Sequence, residues 1–186
     1  MIGYLTGHVH SSTEKSIILL VGGVGYTVLA PLPTLLACEE EKTVSLFVHT
    51  HAREDQLALY GFETKQELEL FEKLINVSGI GPKSALAMLS VHSPASVADA
   101  VERADATLLS HTPGIGKRTA EKIILELKGK LGHLHDATKP DTFFEVRLAL
   151  EALGYSPKEI HEVLQKINQS ETNTSALIKE ALSKIK

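Results

Sequence analysis

The sequence predicts a multidomain α+β chain. Strand-like runs fill residues 1–62, helical periodicity takes over at Thr64, and one glycine-centred turn occurs twice within the helical part. At 186 residues and 43% hydrophobic content the chain can bury real cores, and its punctuation favours three small domains: 1–62, 63–131 and 141–186, with 132–140 as a linker.

The first part reads as five short strands. Residues 1–7 and 16–21 are apolar-rich or alternating, with polar residues 10–15 between them, and Gly22-Gly23 turns the chain into 25–30. Pro31 and Pro33 end that strand, and 32–37 is a short helical or irregular connection. Residues 43–51 then alternate cleanly and 56–62 return as their partner. This number of strands in so short a span suits a small barrel such as an OB-fold.

From Thr64 the apolar period becomes helical: Leu68, Phe71, Leu74 and Ile75 share a face, 85–89 continue it, Ser93 or Ser96 caps 97–103, 104–109 lead on, and 119–131 close the domain. Residues 132–140 are polar and broken by Gly132 and Pro140, hence a linker. Three helical stretches follow, 142–153, 157–166 and 174–185, with Gly154 ending the first and Ser156-Pro157 starting the second. So small a bundle is marginal alone and suits a docking module.

The repeated turn carries the chemistry. Val77-Ser78-Gly79-Ile80-Gly81-Pro82-Lys83-Ser84-Ala85 recurs thirty-five positions later as Thr112-Pro113-Gly114-Ile115-Gly116-Lys117-Arg118-Thr119-Ala120. Two glycines around one apolar residue allow a tight turn with positive φ and close backbone approach, and the isoleucine anchors the turn to a core. The helix that opens behind it presents unpaired amides and a positive dipole end, beside Lys83, Lys117 and Arg118, with Lys122 a turn further on. Such a device binds phosphate. One copy could be an ordinary helix-connecting turn; two copies, each with a cation after the second glycine, look like paired helix-hairpin-helix motifs that hold a sugar-phosphate backbone without reading bases. The candidate DNA-binding residues are therefore Gly79, Gly81, Lys83, Ser84, Gly114, Gly116, Lys117, Arg118 and Lys122. Neither copy has the Gly-x-x-x-x-Gly-Lys-Ser/Thr spacing of a P-loop, nor the third glycine of a dinucleotide-binding turn.

The formal net charge of −4 argues against nucleic acid only until its distribution is read. Residues 1–62 hold three cations against six carboxylates, whereas 112–130 hold five cations against two. Binding is then local, and a grip through backbone amides needs few lysines. Cys38 is the only cysteine and no membrane-length apolar run occurs, which sets the expectation of a reducing, cytoplasmic location and no membrane association.

Arg53-Glu54-Asp55-Gln56 lies between the last two barrel strands. As a solvated tip it needs no function, but Glu54 and Asp55 on a projecting turn beside a phosphate-binding domain would repel DNA strands and hold them apart. The pairs His8/His10, His49/His51 and His133/His135 have strand-like ligand spacing, yet no Cys or convergent carboxylate completes a site, so no metal or cofactor is expected. Exposed barrel histidines are the simpler reading, with His49 or His51 able to approach phosphate when protonated.

Met1-Ile2-Gly3, Gly22-Gly23-Val24-Gly25-Tyr26, Arg53-Glu54-Asp55 with Leu59-Tyr60-Gly61-Phe62, both hairpins, and Leu150-Glu151-Ala152-Leu153-Gly154-Tyr155 together resemble the RuvA family of Holliday-junction-recognition subunits, in family order and along essentially the whole chain. The resemblance implies an OB-fold barrel, a domain with two helix-hairpin-helix motifs, and a mobile C-terminal three-helix (UBA-like) domain that binds the hexameric ATPase RuvB. It implies also a non-catalytic homotetramer on four-way junction DNA, with acidic pins at the centre and the RuvC resolvase in a shared complex. Leu177, Ile178, Ala181 and Leu182 are the expected partner-binding positions, although each could instead fill the bundle's own core. Tyr4 and Thr6 stand where the family often places basic residues, and 132–140 is shorter than the linker of many relatives, which shortens the reach of the last domain. Two other readings stay open at this point. A junction nuclease using Glu54 and Asp55 lacks a second acidic cluster, and a single-strand-binding OB protein is weakened by the few aromatic residues of the barrel, Tyr4, Tyr26, Phe47, Tyr60 and Phe62, which sit mostly at core-like positions.

Overall fold

A computed structural model describes residues 1–52, 57–131, 134, 146, 149–150, 152–164, 167 and 174–184. It divides the chain into two compact units, Met1–His135 and Asp136–Lys186.

The first unit begins with a closed barrel in the order β1-β2-β3-β5-β4: β1 Tyr4–Ser12, β2 Ser16–Val21, β3 Val24–Leu29, β4 Thr43–Ala52 and β5 Leu57–Phe62. The strands alternate, so Leu5, Val9, Ile17, Leu19, Val28, Leu46, Val48 and Leu59 point inward as one core. Closure leaves no unpaired edge for another strand to join. β3 and β5 pair in parallel, Val28 opposite Leu59, and a parallel pair cannot be joined by a tight turn. The helix α1, Leu32–Ala37, together with β4, supplies the crossover. The first strand is longer than expected. His8, His10 and Ser12 are the outward partners of Gly7, Val9 and Ser11, so their polarity marks a solvent-facing side and not a loop. Cys38 is buried, and burial, with the Glu63 carboxylate nearby, pushes its thiol up to about 11.

Among the described residues of this unit the barrel is followed by the helices α2 Lys65–Ile75, α3 Pro82–Val91, α4 Pro94–Glu102, α5 Ala106–Ser110 and α6 Lys117–Leu127. Side chains cap the starts of α2, α4 and α5. Thr64 and Glu67 form a reciprocal capping box on α2, Ser93 rather than Ser96 caps α4, and Asp105 caps α5 through the Leu108 amide at 2.9 Å. Leu70, Phe71, Leu74, Met88, Val97, Leu109 and Ile123 are fully buried between the helices, each contributing about 1.5–3 kcal/mol.

The barrel and helices share that core. Tyr60 and Phe62, at the end of β5, stack on Phe71 of α2 with ring centroids 5.1 and 4.9 Å apart. Leu134, expected within a linker, is 1% exposed in the same core, its N–H donating to the Leu131 carbonyl at 2.8 Å. Its apolar side chain extends the first unit past the Gly132 break. The rest of the expected linker, apart from Leu134, lies outside the described residues.

In the second unit, Val146, Leu150, Ile160, Val163, Ile167, Leu177 and Ala181 form a separate core. Two of its helices are α7, Pro157–Leu164, and α8, Thr174–Lys184; residues 146, 149, 150 and 152 are helical where the first stretch was expected. Ser156 and Glu159 close the start of α7. The Glu159 carboxylate accepts from the Ser156 hydroxyl at 2.6 Å and from its N–H at 2.8 Å, which holds that carboxyl below its usual range. Leu177 and Ala181, expected as exposed docking positions, are buried here: four residues apart, they form the stripe of α8 that faces its own core. Ile178 packs at the edge of that stripe, and Leu182 is 37% exposed.

Candidate nucleic-acid interface

The two glycine turns adopt one geometry. The residue opening each turn is buried and its N–H reaches back to the preceding helix, Val77 to the Leu74 carbonyl at 3.0 Å and Thr112 to the Leu109 carbonyl at 3.2 Å. Ile80 N–H then donates to the Val77 carbonyl, and Ile115 N–H to the Thr112 carbonyl, both at 3.0 Å. Ile80 and Ile115 are 5% and 4% exposed, anchoring each turn as their apolarity predicts. Behind them Ala85 and Ala120 are fully buried, small enough for the helix start to sit on the core.

The two glycines of each turn have different jobs. Gly79 and Gly114 have φ of +92° and +83°, a region costly for any residue with a Cβ. Gly81 and Gly116 do not share it: they are the extended N-caps of α3 and α6, with φ of −98° and −84°. Any residue can take that backbone, and nothing in the protein lies within 4 Å of a Cβ added at either position. What glycine provides there is clearance on the solvent side, together with an N-cap that places no side chain over the first amides.

The first amides of each helix are therefore open. Among the described residues, no acceptor sits on the N–H groups of Gly81 and Lys83 or of Gly116 and Arg118, whereas Ser84, Ala85 and Ala120 donate to the N-cap carbonyls at 3.0, 3.1 and 2.9 Å. Ser84 thus has its hydroxyl to offer and not its amide. Lys83 and Arg118 occupy the same position of the two turns and are exposed. Lys117 takes the place of Pro82, and Lys122, half-buried, lies one turn beyond Arg118 on α6. Each hairpin combines outward N–H groups, a helix dipole and at least one cation outside any ion pair among the described residues, the set of groups that holds a phosphate oxygen.

The histidines divide. His8 bonds to Thr43 across β1 and β4 at 3.0 Å. His49 is drawn into the barrel–helix seam, with Nδ1 3.0 Å from Glu72 Oε1 and its ring 5.5 Å from that of Phe71, so its expected approach to phosphate meets a carboxylate already in place. Tyr4 packs edge-on against Phe47 at 5.2 Å and Thr6 bonds to Ser45, an uncharged strip on the outer barrel. Arg53, Glu54, Asp55 and Gln56 lie outside the described residues, between the end of β4 at Ala52 and the start of β5 at Leu57, as do His133 and His135.

Two features carried no sequence signal. Lys15 faces the same cleft as Lys83, a proximity created where the start of α1 packs against α3. The Glu102 carboxylate accepts the Gly129 N–H at 2.9 Å, bracing the end of α6 from α4.

Comparison with known proteins finds family matches in three stretches of the chain. Family models described as RuvA N terminal domain, SAM-like Helix-hairpin-helix tandem, and RuvA, C-terminal domain match residues 1–61, 71–130 and 144–186. The Holliday junction branch migration complex subunit RuvA of Acholeplasma laidlawii is 43% identical, over 98% of this chain and 98% of its own length. That of Halalkalibacterium halodurans is 41% identical over 98% and 97%, and that of Thermus thermophilus 41% identical over 100% of both.

Proposed function

The chain belongs to the RuvA family, and from that membership and its twin hairpins we propose that it is the non-catalytic subunit of a branch-migration complex, gripping four-way junction DNA by its backbone. The observation that carries this reading is the repeated turn, in which a positive-φ glycine, a buried isoleucine and an extended N-cap glycine leave the same amides open beside Lys83 and Arg118. Amides that meet phosphate oxygens cannot distinguish one base pair from another, so recognition rests on where the phosphates of a junction lie. Gly79, Gly81, Lys83 and Ser84 form one contact; Gly114, Gly116, Lys117, Arg118 and Lys122 form the other.

Four copies around a junction would bring the acidic tips together. Glu54 and Asp55 then repel phosphates at the crossover and keep the strands from collapsing onto one another. The second unit docks the hexameric ATPase RuvB, which supplies the ATP hydrolysis this chain does not perform, and RuvC shares the complex. Its exposed Leu182 and Leu153 are the better docking candidates, since Leu177 and Ala181 are spent on the core. No helix of the described residues is long and apolar enough to cross a membrane, which suits work on DNA in the cytoplasm.

Incubating the protein with a labelled four-way junction, a duplex of the same sequence and Mg²⁺ tests the reading. The junction should be retarded, uncut, at a concentration at least about tenfold below that needed for the duplex. In the same assay Glu54→Gln with Asp55→Asn should bind the junction as tightly or more tightly and gain duplex binding, because repulsion has been removed. Cleavage that disappears in the double variant would instead make the tip a metal-dependent nuclease site.

A further inference from the structure

Where the barrel meets the first hairpin, a cleft of about 430 Å³ opens between the β1–β2 turn, the start of α1 and one side of α3. Leu29, Leu32 and Leu86 give it an apolar lining, and two cations reach it from different elements, Lys15 from the barrel turn and Lys83 from the N-terminal turn of α3. Among the described residues neither lysine is in an ion pair. Glu14 also lines the cleft and works against an anion there.

Both walls are held in place. Thr13 Oγ1 accepts the N–H groups of Lys15 at 3.3 Å and Ser16 at 3.0 Å, and the Lys15 carbonyl accepts the Ala30 N–H at 3.4 Å. On the other side the Leu32 N–H donates to Ser90 Oγ at 3.0 Å, and that hydroxyl donates to the Leu86 carbonyl at 2.8 Å. A cleft fixed in this way loses little conformational freedom when filled.

We propose that this cleft is a third DNA contact, resting on the hairpin reading above: it receives the sugar-phosphate strand running on from the first hairpin, with Lys15 on a phosphate beyond the one held by the α3 amides. Lys83 belongs both to the hairpin and to the cleft, so a strand seated on the hairpin continues into it. The lining suits a backbone, because deoxyribose carbons meet the leucines while phosphate oxygens meet the lysines. Lys15 is thus a positioning residue that ties the barrel to the same strand and fixes the angle at which that arm leaves the hairpin.

Fluorescence anisotropy of the full chain on a labelled junction, across a salt series, tests this. Lys15→Gln, which removes this lysine from every copy on the junction, should weaken binding about tenfold or more near physiological salt and flatten the log–log salt dependence by about 0.9 for each phosphate that no lysine now neutralises. Lys15→Arg should restore both, which a merely structural role for the lysine stem would not require. If Lys15→Gln matches the parent in affinity and slope while Gly116→Val weakens binding, the cleft is not a DNA contact and the hairpin reading stands. If the parent itself shows no junction binding, the hairpin reading fails and the cleft proposal with it.

Discussion

A chain ending at His135 is expected to bind junctions as tightly as the full protein and to lose ATP-driven branch migration altogether once the motor is added. The cut point follows from packing. Leu131 and Leu134 are 0% and 1% exposed in the core of the first unit, so a chain ending at Leu131 would strip out a buried leucine and cost about 2–5 kcal/mol. Cutting after His135 leaves that core whole. The removed segment has a core of its own, from Val146 to Ala181, which is why its loss should not propagate. Gel retardation and motor-driven strand exchange, measured on one preparation, give the two readouts. Migration that survives the truncation, or junction binding that vanishes from a protein that still melts cooperatively, would show that the second unit is not the motor's dock.

The second large effect belongs to the hairpins, and the two glycines of one turn should fail in different ways. Gly114→Val forces a β-branched residue to φ +83°, a strain of about 1–3 kcal/mol, so both melting temperature and junction affinity should fall. Gly116→Val meets an extended backbone and open space, so the fold should be nearly indifferent. Its side chain would nevertheless stand beside the amides that take the phosphate, and junction affinity should drop about tenfold or more. Parent-like junction binding by Gly116→Val would reduce the turn to a helix connection.

Much of the fold is legible in residue order because local signals agree with it. The helical onset at Thr64, a cap at Ser93 or Ser96, the strand alternation and the repeated turn read directly from the sequence, whereas the capping roles of Thr64 and Asp105 show only in the structure. The assignment of positive φ does not, because both glycines permit it and only the register of the following helix decides which one adopts it. The parallel pairing of β3 with β5 leaves no local trace, since it depends on chain closure between distant segments. Leu134 is hidden by its polar neighbours. Leu177, Ile178, Ala181 and Leu182 all read as apolar helix positions, and only the packing of α8 separates the buried pair from the edge pair. Lys15 is the extreme case: a lysine in a polar turn carries no hint that packing of α1 against α3 sets it across a cleft from Lys83.

The claim on which everything else depends is that the protein holds phosphates and does not read bases. The most direct test is the salt dependence of junction affinity, measured for two junctions of unrelated sequence. The two junctions should share one dissociation constant within about twofold, with a log–log slope of about −0.9 for every phosphate neutralised, shallower in Gly116→Val. A complex insensitive to salt, or one that favours one sequence strongly over the other, would contradict that claim.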